Sequence, residues 1–195
     1  MTVMFQDKYV FAQLTAFLNR TQFNNYVRKY DEDRYVKHFT CWNQLLAMMF
    51  GQLSNRESLR DLIVAFEAHR AKQYHLGLGR KPIAKTTFAS ANQNRDYRIF
   101  EDFAFYMMEQ ARKKRVTDIF KLKGNVYAFD SSAIIAYCLV AIVQHDLQLK
   151  RSTYEVLQIL SISLMDKTLL VDLFERTDFN NVKELGCPLF PGLFD

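Results

Sequence analysis

Between Cys41 and Leu53 the chain runs CWNQLLAMMFGQL, broken by little that is polar. Thr40, just before it, has the side-chain oxygen favoured at a helix N-cap. A helix that is apolar on most of its circumference belongs inside a core. Met48 and Met49 are therefore read as packing residues, since methionine fills irregular interior gaps. Only 6 Gly and 3 Pro occur in 195 residues, which favours helices elsewhere as well.

Helical spacing recurs on both sides of that run. Val10, Phe11, Leu14, Phe17 and Leu18 form one stripe, and Thr21 caps a second helix carrying Phe23, Tyr26 and Val27. Asp31, Glu32, Asp33 and Arg34 read as an exposed turn. Ser54, with Glu57 at capping-box spacing, or Asn55 starts a helix that buries Leu59, Leu62, Ile63 and Phe66. Gly77, Gly79 and Pro82 mark a turn with Arg80 and Lys81 at its tip. Thr86 or Thr87 caps a short helix containing Phe88, Ala89, Ala91 and Asn92, and a long helix covers residues 96–115. From Gly124 the pattern changes. Val126, Tyr127, Ala128 and Phe129 form a β-type run ending at Asp130, Ser131 and Ser132. The apolar run 134–143 fits a helix or a buried strand, and periodicity does not decide between them. Ser152 or Thr153 caps an amphipathic helix through Leu164, and Cys187–Gly192 reads as extended chain. The fold class is mainly α, with a helical, helix-turn-helix-like domain over 1–123 and a small second piece over 124–195.

The net charge of +5 is unevenly spread. Residues 1–124 carry 21 Lys+Arg against 12 Asp+Glu, and residues 125–195 carry 5 against 9. A basic front and an acidic rear are what a chain needs when one part meets a polyanion. Other chemistry is poorly supported. The 3 Cys are widely spaced without a CxxC pair, against both a disulfide framework and a zinc site. His38, His69, His75 and His145 show no ligand spacing, and there is no Gly-rich phosphate loop and no Gly-x-Ser-x-Gly elbow. The N-terminus has no apolar signal-peptide region, and the run Ala133–Val143 is shorter than the roughly 20 residues a membrane helix requires. The expected location is the cytoplasm, with no membrane partner.

Two constellations carry possible chemistry. The first is the pair of helices near 56–70 and 87–93 with the basic turn between them. Lys85, Thr86 and Thr87 are suited to phosphates at a helix N-terminus. Asn92, Gln93 and Asn94 have the amides that read adenine edges in the major groove. Arg80, Lys81 and Arg95 add cations, so these nine residues form the expected DNA-binding set. The second is Asp130, a carboxylate at the end of a strand and so able to ligate a divalent metal. Two-metal phosphodiester chemistry needs several such acids, and one does not suffice.

These residues resemble a known group. Phe11-Ala12-Gln13-Leu14, Arg34-Tyr35-Val36-Lys37, Phe39-Thr40-Cys41-Trp42-Asn43-Gln44, Phe50-Gly51-Gln52-Leu53 and Ser58-Leu59-Arg60-Asp61-Leu62 are similar to the start of bacterial insertion-sequence transposases of family four. So are Tyr74-His75-Leu76-Gly77, Asn94-Arg95-Asp96-Tyr97-Arg98-Ile99-Phe100-Glu101 and Val126-Tyr127-Ala128-Phe129-Asp130-Ser131. The resemblance implies an N-terminal domain that binds DNA, followed by a ribonuclease-H-like catalytic domain whose Asp, Asp, Glu triad holds magnesium or manganese. It makes Asp130 the first acid of that triad.

The chain departs from the family after Asp130. The Tyr-x2-Arg-x3-Glu-x6-Lys motif that holds the family's Glu does not occur, because Tyr137 is followed by Val140 and Tyr154 by Leu157. Tyr137-Cys138-Leu139 and Lys150-Arg151-Ser152-Thr153-Tyr154-Glu155 resemble the family's extreme C-terminal end, which places Asp146 and Glu155 outside the triad. Each parallel crossover needs a dozen or more residues, and too few remain for the full sheet. The resemblance thus implies an internal deletion joining Ser132 to Ala133, and residues 124–195 as a remnant of the ribonuclease-H-like α/β domain. The expected protein binds double-stranded DNA at the element's terminal inverted repeats, carries no metal cofactor of its own and does not cut. Full-length transposase or a second copy are its other expected partners. The competing readings are a stand-alone DNA-binding regulator or inhibitor of the full-length enzyme, and an interaction protein or pseudogene product with no such role. An orphan strand leaves backbone groups unpaired, so the rear piece is expected to pack loosely, swap or oligomerise, with 134–143 seeking cover from the front.

Overall fold

Thr40 does cap the central helix. Its hydroxyl accepts a hydrogen bond from Asn43 N at 3.3 Å, and Asn43 Oδ1 accepts one from Thr40 N at 3.1 Å, a reciprocal capping box. The helix spans Cys41–Leu53, and every residue in it except Asn43 and Gln52 is buried. The computed structural model describes residues 7–56, 58–79, 81–114 and 128–177, and among them there is no strand. The helices in chain order are α1 (Val10–Thr15), α2 (Arg20–Lys29), α3 (Cys41–Leu53), α4 (Leu59–Ala68), α5 (Lys85–Asn94), α6 (Arg98–Lys113), α7 (Ala128–Asp146), α8 (Thr153–Ser163) and α9 (Leu170–Arg176). A 3-10 segment, Arg70–Leu76, follows α4. No helix of the described residues is long and apolar enough to cross a membrane.

The apolar run that periodicity left undecided is the middle of α7. From Ser131 to Val143 every residue except Ala133 is buried, so this helix, like α3, is enclosed on all sides. Its cover comes chiefly from α6 and α3, with α8 and α1 completing it. α6 presents Phe100, Phe103, Ala104, Met107, Met108 and Ala111 to the interior, the three-and-four spacing of one helical face. Phe23 joins this packing, with ring centroids 5.1 Å from Phe103 and 5.4 Å from Trp42 in edge-to-face arrangements.

The expectation of a loosely packed rear is corrected by this arrangement. Residues on both sides of 115–127 contribute to one hydrophobic cluster. Main-chain bonds also join the two parts. Val10 N donates to Asp166 O at 2.8 Å and Phe11 N to Leu164 O at 3.1 Å, so the carbonyls after α8 satisfy N–H groups that α1 leaves open at its start. The buried amide of Gln13 donates to Lys8 O and Thr168 O, while its oxygen accepts from Leu170 N at the start of α9. A fully buried amide that meets all these partners costs little and positions both chain segments.

The strand is corrected too. Ala128, Phe129 and Asp130, expected at its end, instead open α7; Val126 and Tyr127 lie outside the described residues, as does Cys187–Gly192. An isolated strand has no partner to accept its N–H groups, whereas a helix satisfies them internally. Smaller differences concern caps. Asn19, not Thr21, caps α2 by accepting from Gln22 N at 3.0 Å. Ser58, not Ser54, caps α4 by accepting from Asp61 N at 3.1 Å. α5 begins after Ala84 with no side-chain cap, because Thr86 and Thr87 already lie inside the helix. Cys41 and Cys138 are fully buried free thiols, and burial pushes each up to about 12, far from the thiolate a reactive cysteine requires.

Candidate nucleic-acid interface

α5 is held by a narrow seam. Only Phe88 and Ala91 are buried, and Phe88 meets Phe39 edge-to-face with centroids 5.5 Å apart. At 3.6 residues per turn, Arg95 continues that inner face and Asn92 flanks it, while Thr86, Ser90, Gln93 and Asn94 turn away from the core. Lys81, Lys85, Thr86, Thr87, Gln93 and Asn94 are all exposed. Arg80 lies outside the described residues.

Arg95 and Asn92 do different work from the rest of the expected set. The Arg95 side chain is only 9% exposed. Its Nη1 donates to Gln44 Oε1 at 2.8 Å and its Nη2 to Phe39 O, and Asp33 lies 3.6 Å away. Gln44, on α3, donates in turn to Asn92 Oδ1 at 2.6 Å. Both oxygens of Asp33 accept from Cys41 N at 2.9 Å, placing negative charge at the positive end of α3. Glu32 accepts from Asp96 N at 3.2 Å. Of the stretch read as an exposed turn, Asp31 and Arg34 are exposed while Glu32 and Asp33 are half-buried and engaged, and Arg95 clamps α3, the loop before it and the end of α5 together.

The segment leading into α5 is set by its glycines. Gly77 and Gly79 adopt φ of +81° and +93°, the left-handed region that glycine tolerates. Gly77 O accepts from Asn43 Nδ2 at 3.2 Å, and a Cβ at Gly77 would come within 3.2 Å of Leu46. Leu76, Leu78 and Ile83 are buried around this turn, leaving Lys81 outside, where its Nζ donates to His38 Nε2 at 2.8 Å. α4 and α5 touch, but residues 69–84 join them, far more than the three or four of a compact helix-turn-helix.

Asp130 sits in the first turn of α7, and its side chain lies outside what the structure describes. The other two acids considered are committed elsewhere. Asp146 pairs with Lys114 at the end of α6 and with His145. Glu155 accepts from Ser152 N at 2.7 Å in the capping box of α8. Among the described residues no group of three His, Cys, Asp or Glu side chains is placed to hold a metal ion.

Sequence reading missed Gln44, Lys37 and His38. An amide set against the apolar run of α3 was the available signal for Gln44, because a buried amide must find partners. Nothing local indicated where Lys37 and His38 would lie.

No curated protein and no solved structure matches the chain. Residues 6–79, which end just before the approach to α5, match the family described as Domain of unknown function (DUF4372), a domain found in transposase-like proteins.

Proposed function

We propose that this chain is a transposase-derived protein that binds double-stranded DNA through α5 and its basic approach, without cutting it. One observation carries the reading. α5 spends only Phe88 and Ala91 on the core, leaving Lys85, Thr86, Thr87, Gln93 and Asn94 outside with Lys81 beside them. A lightly anchored, polar helix with cations at its start suits a groove, with phosphates at its N-terminal turn and amides on base edges. Arg95 supports that helix from within, and the exposed Asn92 is tied to α3 through Gln44. The family resemblance over most of residues 5–132 supplies the expected target, the terminal inverted repeats of an insertion sequence. On this reading residues 124–195 are what an internal deletion left of a ribonuclease-H-like domain, with Asp130 its first acid. The protein works in the cytoplasm, alone, as a second copy, or alongside full-length transposase, and carries no metal cofactor of its own.

Fluorescence anisotropy with an inverted-repeat duplex across a salt series tests this. Each lost phosphate contact flattens the dependence of log K on log salt by about 0.9. Lys81→Gln with Lys85→Gln should therefore flatten it by about 1.8, with roughly tenfold or greater loss of affinity near 0.1 M salt. An unchanged slope, or no retention of DNA by the wild type at about 50 mM salt, overturns the reading. Catalytic silence is checked separately, with the same duplex incubated in magnesium or manganese. No nicking is expected, and nicking that disappears in Asp130→Ala would refute it.

A further inference from the structure

We infer that the loop at residues 34–38 is a second DNA-contacting element, in which Lys37 and His38 join Lys81 on a backbone phosphate beside α5. This rests on the reading that α5 meets DNA. Three observations carry it. First, the Lys81–His38 bond of 2.8 Å ties the loop to the approach of α5. An ammonium has only donors, so in this contact His38 Nε2 is the acceptor, which leaves Nδ1 as the ring's donor position. The positive charge of Lys81 is therefore left uncompensated by this contact, and an N–H donor remains on the same ring.

Second, the loop and the turn enclose a groove of about 610 Å³. Lys37, His38, Lys81 and Thr87 line it together with apolar Phe39 and Ile83, and among the described residues no carboxylate does. Cations over a low-dielectric floor attract an anion more strongly than the same cations in open water. Thr87 belongs to the first turn of α5, so a strand passing through the groove continues directly onto the helix.

Third, the acids of the same loop are engaged elsewhere. Asp33 serves Cys41 N and Arg95, Glu32 serves Asp96 N, and Asp31 lies 3.5 Å from Arg34. What the loop presents to the groove is positive. The sequence DEDRYVKH gives no hint of this, because its acids and bases nearly balance.

The test uses the full chain and two duplexes, one carrying an inverted repeat and one scrambled. Lys37→Gln with His38→Gln should weaken binding to both by roughly tenfold near 0.1 M salt and flatten the salt dependence by about 0.9 for the lost lysine. The loss should be equal on the two duplexes, because phosphate contacts carry no sequence information. Both side chains are exposed, so the melting temperature should stay put. Wild-type affinity and slope in this double variant, alongside weakened binding by Lys85→Gln, would overturn the loop contact and leave the α5 reading standing. A loss confined to the inverted-repeat duplex would equally overturn a phosphate role. If neither the wild type nor any variant holds DNA, the α5 reading falls and this inference with it.

Discussion

Leu139→Ala should lower the free energy of unfolding by about 3 kcal/mol, the usual cost of removing a fully buried leucine and leaving a cavity. The informative part is where the loss is detected. Leu139 lies in α7, and the chain's single tryptophan, Trp42, lies in α3 at the front. α7 packs on both α6 and α3, and the core residues of front and rear form one cluster. In a urea titration the Trp42 fluorescence transition should therefore shift together with the far-ultraviolet circular dichroism, to the same midpoint. A shift in dichroism that leaves the tryptophan transition in place would mean that residues 128–177 unfold separately. The packing described between them and the front would then be wrong.

Arg95→Met should cost about as much, roughly 3 kcal/mol, although the residue lies at the end of a surface helix. Methionine keeps much of the aliphatic bulk and removes the guanidinium. That leaves Gln44 Oε1, on a residue 1% exposed, without its donor, and strips Asp33 of its ion partner. A buried acceptor left unpaired loses its hydration with nothing in return. Gln93→Ala, at an exposed position two residues before the same junction, should change stability by less than about 0.5 kcal/mol. Thermal melts of the two variants decide the matter. Equal melting temperatures would place Arg95 among the freely exposed cations and restore it to the proposed DNA-contacting set.

That contrast between neighbours on one short helix shows what could be read in advance. The amides and cations of residues 85–95 were recognisable as a group, because their chemistry is local. Which of them face outward was not, since it depends on where Gln44, Asp33 and Phe39 arrive from other parts of the chain. Glu32 and Asp33 looked like solvated turn residues for the same reason: their partners, Asp96 N, Cys41 N and Arg95, are not adjacent in the sequence. The β-type run at 126–129 illustrates the opposite failure. Its composition suits a strand, but strand pairing needs a partner, and Ala128 and Phe129 join a helix instead.

By itself the sequence determined the mainly helical character and the buried status of the 41–53 segment. Both follow from residue type, spacing and caps, which act within a few residues. It also carried the basic front, since formal charge needs no fold to be counted. Only the tertiary structure decided that 134–143 is a central helix, that the rear shares the core of the front, and that Arg95 turns inward while the exposed Asn92 accepts a hydrogen bond from Gln44. Each of those outcomes depends on burial and hydrogen-bond partners brought together from distant positions, and such partners exist only once the chain has closed on itself.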